Sequence, residues 1–429
     1  MGKQMIKVGL IGLGTIGGSV VKLFENNLSN INKKNDLQLV LERVAERDPE
    51  KLKSLKIPTE NKLSDAFKLV KDPEIDIVIE LIGGIEPARS LIREALENGK
   101  YVVTANKDLI ATHGDELLEL ARSKNLNIFY EASVGGGIPL IRPLKYSLVG
   151  DRIKRVVGIL NGTTNYILTR MSYEGLEFDA ALAQAQENGF AEADPSSDIE
   201  GRDASYKLMI MAGLAFGCSI DPARVYVEGI TGITAGDINY AREIGCVIKL
   251  LAIGEELPTG IALRVHPAMI AQSHPLASVN NEFNAVFIEG EAVGDVMLYG
   301  RGAGGSPTST AIMADVVEAA RCKSGHAVCS VVENKTTGTV YVPIEELSSR
   351  FYLRFLAEDR PGVLAAFSKV FGDHQVSLDM VIQKRRVGDL AEIVLVTHLV
   401  SEAAFRTALD QVMNLVMIRP NPSTIRLML

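Results

Sequence analysis

The 429-residue sequence predicts an α/β protein in three parts: an N-terminal parallel sheet flanked by helices, an α+β middle, and a C-terminal βαββαβ unit. Three observations carry that expectation. Up to about residue 131, short apolar runs alternate with amphipathic stretches, the pattern of βαβ units around a parallel sheet. Near residue 138 the texture changes to long Ala-, Gly- and Leu-rich segments with few clean alternations. From residue 350 onward, short alternating strands return around two helical stretches. A chain of this length supports about three domains at roughly 150 residues each.

Residues 5–11 (MIKVGLI) read as a strand buried on both faces. The glycine turn that follows runs Gly12-Leu13-Gly14-Thr15-Ile16-Gly17 and leads into an apolar-periodic helix. Gly12 suits the tight turn, Gly14 lets the backbone approach a pyrophosphate, and Gly17 permits close helix–strand packing. Leu13, Thr15 and Ile16 complete the turn, and the helix N-terminus offers free N–H groups to the anion. Strand, glycine turn and helix in that order predict a Rossmann-type dinucleotide-binding domain over residues 1–137. A second strand (38–45) ends at Glu46-Arg47-Asp48, where a ribose-binding acid is usual. A carboxylate there would take a 2′-hydroxyl, and Arg47 would cap a 2′-phosphate. Both NAD and NADP therefore stay open, with NADP favoured.

The domain continues through a strand at 75–83, a helix at 86–98, a strand at 101–104, a helix near 115–124 and the strand NIFYE. Thr104 and Lys107 follow the carboxyl end of a strand, the edge where open α/β sheets bind ligands, although a solvated loop lysine fits the same position. The middle domain is expected over 138–321, closing with a helix at 305–321 that returns to the first domain after the Gly302–Gly304 turn. Residues 322–349 read as a polar linker and 350–429 as a ferredoxin-like unit.

The densest chemistry lies at 189–207, with Glu192, Asp198, Asp203 and Lys207. Asp203 and Lys207 are spaced i, i+4 and share one helix face. They open a strongly apolar helix, where desolvation can tune a pKa for acid–base work, although a surface salt bridge beside a polar loop fits the same spacing. Asn161 to Asn165 forms a loop of short hydrogen-bonding side chains between a strand and a helix. The stretch Glu131 to Pro139, with Val134, Gly136 and Ile138, leaves carbonyls that suit a monovalent cation or a close ligand, and equally an interdomain hinge.

Composition narrows the function classes. A net charge of −8 argues against nucleic acid and anionic membranes, which need a basic stripe. The four cysteines show no C-x-x-C spacing, which argues against a disulfide scaffold and for a reducing compartment. No secretory signal opens the chain, and the longest apolar run is about half of a membrane span, so a cytoplasmic protein is expected. The six histidines have no metal-ligand spacing, and no Ser-His-Asp or Cys-His arrangement is legible.

Together these segments resemble the homoserine dehydrogenase family, over essentially the whole chain. GFAEADPSSDIEGRDASYKL is similar to that family's signature, and NGTTNYIL, TANK, EASVGGGIP and GRGAGGSPT follow the family's pattern in order. The C-terminal unit with its DRPGVL turn resembles an ACT domain. The resemblance implies interconversion of L-homoserine and L-aspartate 4-semialdehyde with NAD or NADP, within threonine, methionine and isoleucine biosynthesis. Lys207 would then be the proton donor, Glu192 and Asp203 would hold the substrate, and Asp198 would support them. Lys107 would lie between cofactor and substrate and share the proton work. Glu131, Val134, Gly136 and Ile138 match a sodium-type site built mostly of backbone oxygens, and the turn at Gly304 would close on the nicotinamide side. The family also implies a homo-oligomer, dimer or tetramer, with an amino-acid effector, threonine first, at the ACT domain. As an appended regulator, residues 345–429 would be removable without loss of turnover.

Two rivals are weighed against this reading. An ACT-bearing 2-hydroxy-acid dehydrogenase would show a catalytic histidine beside a carboxylate, and none of the six is so placed. A non-catalytic sensor of NADP and an amino acid would have lost Glu192, Asp203 and Lys207, and all three are present.

Overall fold

Strand β1 (Met5–Ile11) buries Ile6, Val8 and Leu10 completely, as its continuous apolar run requires. In the computed structural model, which describes residues 5–325 and 338–428, it lies at the centre of a six-stranded sheet. The other strands are β2 (Gln38–Ala45), β3 (Lys62–Leu63), β4 (Ile77–Glu80), β5 (Tyr101–Thr104) and β6 (Ile128–Phe129). Their order is β3-β2-β1-β4-β5-β6 and every pairing is parallel. That order reverses direction between β1 and β4, and ligands bind outside the carboxyl ends at such a switch point.

The helix Thr15–Asn35 follows β1 and turns Val20, Val21 and Phe24 into the core. The helix Gly305–Lys323 joins the same core through Ile312, Met313, Val316 and Ala319, so this late segment does return to the N-terminal sheet. Apolar burial holds it there, at about 2 kcal/mol per fully buried aliphatic side chain. One helix boundary differs from expectation. The helix near 115–124 begins at Lys107 instead, because Asn106 caps it by accepting from Leu109 N at 3.2 Å. The short helices Pro49–Lys53 and Ala66–Lys71 carry only aspartate caps, Asp48 and Asp65, as sequence signals.

The chain divides into two compact units. The first comprises Met1–Val156, Tyr206–Pro222 and Asn284–Thr339; the second comprises Val157–Ser205, Ala223–Phe283 and Val340–Leu429. After β7 (Ile153–Ile159), the second unit contains the short β8 (Tyr226–Val227) and the antiparallel pair β9 (Cys246–Leu257) and β10 (Gly260–Ala271). Strands β11 (Phe283–Gly290) and β12 (Gly294–Arg301) come next in the chain. The C-terminal strands are β13 (Ser348–Glu358), β14 (Leu378–Val387), β15 (Leu390–Thr397), β16 (Val400–Ser401) and β17 (Ser423–Met428). With the helices Val363–Asp373 and Glu402–Met413 they form the βαββαβ unit, cored by Phe351, Phe355, Phe367 and Phe405.

This C-terminal unit is not a tethered appendage. Strand β17 pairs parallel with β10 (Ala268 beside Arg426, Ile270 beside Met428) and antiparallel with β13, so one sheet runs through both parts. Part of the expected linker is also structured. Val340 and Val342 are clipped to β10, with Ile261 N donating to Val340 O and Val342 N to Ile261 O, both at 2.9 Å. Val342 and Ile344 are buried, so a segment that reads as polar is anchored by its few apolar residues. The remainder of that linker, 326–337, lies outside the described residues.

Against the removable-module expectation, deleting 345–429 would strip β17 from β10 and expose the backbone edge at Ala268–Ile270. We expect the truncated chain to elute as aggregate on size-exclusion chromatography, with no turnover. A monodisperse, active truncate would overturn this. Among the described cysteines, Cys218 and Cys246 are free and buried and Cys322 is disulfide-bonded. Among the described residues, no helix is long and apolar enough to cross a membrane.

Candidate active site

At the carboxyl end of β1, Gly12 adopts φ +94°, and a side chain there would meet the Leu81 carbonyl at 2.8 Å. A Cβ on Gly17 would overlap the Gly12 carbonyl oxygen, so the helix Thr15–Asn35 can approach the strand only as glycine allows. Gly14 has no protein atom within 4 Å of its Cβ position. Its open face is the one a pyrophosphate would need. The turn opens on a cavity of about 500 Å³ lined by Gly12, Glu46, Arg47, Ser64, Ile82 and Gly83, at the β1/β4 switch point.

Glu46 is already committed. Its Oε2 accepts from Leu13 N at 2.6 Å and its Oε1 from Asp48 N at 3.1 Å. Burial opposes its ionisation, but these backbone donors outweigh that and hold the carboxyl below its usual range. The acid thus braces the glycine turn, while Arg47 is exposed at the cavity wall. Gly304 caps the helix Gly305–Lys323 with φ +109°. A Cβ on the adjacent Gly305 would overlap Ser19 Oγ, which brings the Gly304 turn against the first turns of the helix at Thr15.

At the ends of β4 and β5, Glu80 is fully buried. Its Oε1 accepts from Ile82 N and its Oε2 from Thr104 Oγ1, both at 2.8 Å. Burial pushes this carboxyl up despite those donors. Asn106 N donates to Thr104 Oγ1 at 3.0 Å and Asn106 Nδ2 to Gly84 O at 2.7 Å. Lys107 opens the next helix, half-buried, with its Nζ 3.4 Å from Asp108 Oδ1.

The glycine-rich stretch after β6 is held from two sides. Glu131 Oε1 accepts from Leu140 N at 2.6 Å and Ile141 N at 2.8 Å, and its Oε2 from Arg142 N at 2.9 Å. Its main-chain N–H donates to Asp315 Oδ2 at 2.9 Å. Burial drives the Asp315 carboxyl up to about 7, against the pull of the Arg142 guanidinium. Gly136 (φ +48°) lies against Gly302, whose carbonyl oxygen would be 2.6 Å from an added Cβ. Glu131, Val134, Gly136 and Ile138 are all buried. Both oxygens of the Glu131 carboxylate are thus engaged by backbone donors of residues 140–142. Among the described residues no group of three or more His, Cys, Asp or Glu could hold a metal ion.

In the second unit, Asn161 caps the helix Gly162–Glu174 by accepting from Thr164 N at 2.8 Å. Its Nδ2 donates to Asp198 Oδ1 at 2.7 Å and to Asp203 Oδ2 at 2.8 Å. One amide thus draws two carboxylates together across the loop, with Asp203 buried. Lys207 stands one turn after Asp203 on the helix Arg202–Ala215 and is half-buried. Glu192 is exposed, and its carbonyl accepts from Gln186 Nε2 at 3.1 Å.

This arrangement coincides with three family models. Residues 12–131 match the homoserine dehydrogenase NAD-binding domain, 139–317 the homoserine dehydrogenase domain, and 351–416 the ACT domain. A Synechocystis homoserine dehydrogenase is 44% identical, covering 99% of this chain and 99% of its own length. The chain belongs to the homoserine dehydrogenase family. The crystal structure of a homoserine dehydrogenase from Thiobacillus denitrificans superposes with a TM-score of 0.94 at 40% identity, over 100% of this chain and 99% of that one. A hyperthermophilic archaeal homoserine dehydrogenase solved with NADPH matches at a TM-score of 0.61 and 28% identity, over 74% of this chain and 98% of its own.

Three buried polar residues hold the backbone of these loops in place. Glu80, Asn106 and Asp315 act on the site's backbone and caps. Only Asn106 had a local signal, the N-cap pattern Asn-Lys-Asp. Asn161 stood inside a conspicuous polar loop, but its two carboxylate partners are 37 and 42 residues away.

Proposed function

We propose that this oxidoreductase interconverts L-homoserine and L-aspartate 4-semialdehyde, with NADP favoured over NAD. The observation that carries the reading is the Asn161-bridged pair Asp198 and Asp203, one helical turn ahead of Lys207. A dinucleotide held with its pyrophosphate at the glycine turn would supply the hydride acceptor for the carbinol carbon, and the donor for the aldehyde in reverse. Lys207 handles the accompanying proton: its amine accepts it from the hydroxyl in oxidation, and its ammonium donates it to the aldehyde oxygen in reduction. Asp203 orients the hydroxyl, Asp198 supports it through Asn161, and exposed Glu192 receives the substrate ammonium. Lys107, at the start of its helix, shares the proton work from the cofactor side. Gly12 to Gly17, Thr104 and Gly304 bind the dinucleotide. A sodium-type cation is held by the main-chain carbonyls of Glu131, Val134, Gly136 and Ile138.

NADP is supported by Arg47, exposed at the cavity wall, while both oxygens of Glu46 already accept from backbone N–H groups of Leu13 and Asp48. The archaeal relative's NADPH complex is consistent with that choice. The enzyme works in the cytoplasm as a homo-oligomer in threonine, methionine and isoleucine biosynthesis, with threonine bound at the ACT domain as feedback effector.

The test is reduced-nicotinamide formation from L-homoserine at alkaline pH, with NAD and NADP side by side and threonine added. Turnover with NADP, inhibited by threonine, is expected. No turnover with either cofactor from folded protein would favour a non-catalytic sensor. In the same assay Arg47→Ser should raise the KM for NADP about tenfold or more and leave that for NAD unchanged, the scale of a lost charge-assisted hydrogen bond. Equal change for both cofactors would remove Arg47 from phosphate recognition.

A further inference from the structure

The strand segment 226–230 runs beside the substrate loop and touches it backbone to backbone. Ile230 N donates to Ile199 O at 2.8 Å. A Cβ on Gly229 would overlap that same carbonyl oxygen, and Gly201 (φ +86°) would meet Val227 Cγ1 at 3.2 Å. The peptides between Asp198 and Asp203 are therefore set by where this segment lies. On its other side the segment is fastened to β10, with Tyr226 and Val227 paired to Arg264 and Val265, and Glu228 N donating to Val265 O at 2.8 Å.

The side chains of the same segment are held by the C-terminal unit. Arg426, on β17, donates from Nη1 to Glu228 Oε2 at 2.8 Å. Its Nε donates to Glu402 Oε1 at 2.6 Å and its Nη2 to Glu402 Oε2 at 3.1 Å. Tyr226 Oη donates to Glu228 Oε2 at 2.9 Å and accepts from Arg406 at 3.2 Å and Arg426 at 3.3 Å. Arg426 is 7% exposed and Glu402 is completely buried, so a shift of one partner obliges the others to follow. Glu402 and Arg406 lie on one helix of the βαββαβ unit, in contact with residues that brace the substrate loop.

We propose that Glu228 and Arg426 are positioning residues for the substrate loop: the pair transmits the placement of the C-terminal unit, through Gly229 and Ile230, to the backbone that carries Asp198 and Asp203. This rests on the reading that those aspartates serve homoserine. Neither residue touches substrate. Each acts by holding a peptide in place.

The test uses the full-length enzyme with Glu228→Ala, Glu228→Gln and Tyr226→Phe. Glu228 is the partner to remove, since Arg426 keeps its bidentate pair with Glu402 and no buried charge is stranded. Glu228→Ala should raise the KM for L-homoserine about tenfold, with the dinucleotide KM within twofold. The displaced carboxylates serve homoserine and not the dinucleotide, so only one of the two KM values moves. Glu228→Gln, which still accepts from Arg426, should restore most of it. Tyr226→Phe removes a single hydroxyl and should give a smaller shift of the same kind, which keeps the question answerable if Glu228→Ala does not fold. Unchanged KM for homoserine overturns the proposal. So does a parallel change in both KM values with a lowered Tm, which would mark general loosening. If the wild type itself does not oxidise homoserine, the functional reading fails, and that outcome is distinct from either.

Discussion

Lys207→Ala is expected to lower kcat by at least about a hundredfold in both directions, the usual scale of a lost proton-transfer group. At about 1.4 kcal/mol per tenfold, that is close to 3 kcal/mol of transition-state stabilisation. Lys207 is half-buried on the helix Arg202–Ala215, one turn after the buried Asp203. The aspartate keeps its bond to Asn161 Nδ2 without the lysine, so substrate affinity should fall far less than kcat. Steady-state kinetics with L-homoserine and with the semialdehyde would separate the two. A kcat within tenfold of wild type would move the acid–base role to Lys107.

Gly17→Ala is expected to abolish dinucleotide binding at accessible concentrations and to lower Tm. The new Cβ would coincide with the Gly12 carbonyl oxygen, so the helix or the turn must move by roughly an ångström, a displacement that costs on the order of a hundredfold at a preorganised site. Gly14→Ala is the control. It meets no protein atom within 4 Å, so Tm should stay unchanged while affinity for the pyrophosphate-bearing cofactor falls. Isothermal titration with NADP and a thermal melt of each variant distinguish steric damage to the fold from obstruction of the ligand. Unaltered binding by Gly14→Ala would place the pyrophosphate elsewhere.

Much of this was legible before any coordinates. Strand β2 ends at Ala45 and β5 spans Tyr101–Thr104, as their β-rich, uninterrupted runs predict. The helix opening at Gly305 was visible from its glycine-marked start. The short helix Pro49–Lys53 and the two-residue β3 were not, because a few residues carry too little periodicity to register. The far end of the segment 322–349 is structured, because Val340 and Val342 bond to Ile261 on a strand some eighty residues earlier, a pairing that no local pattern signals.

Side-chain roles divide along the same line. Gly12, Gly14 and Gly17 were readable as a glycine turn between strand and helix, and Asp203 and Lys207 as neighbours on one helix face, because each depends on residues within a turn or two. That Glu46 would brace Leu13 depends on a parallel pairing that joins residues 33 apart. That Glu131 would spend its carboxylate on the backbone of 140–142 depends on how a glycine-rich loop folds back.

The sequence by itself determined the α/β class, the glycine turn, the Asp–Lys helix and the βαββαβ tail, since propensity, periodicity and short-range spacing are local properties of a chain. Only the tertiary structure decided that β17 lies against β10, that Asn161 joins Asp198 to Asp203, and that Arg426 reaches Glu228 from 198 residues away. Those contacts are selected by the burial and hydrogen-bond satisfaction of the whole fold, which no local stretch of sequence specifies.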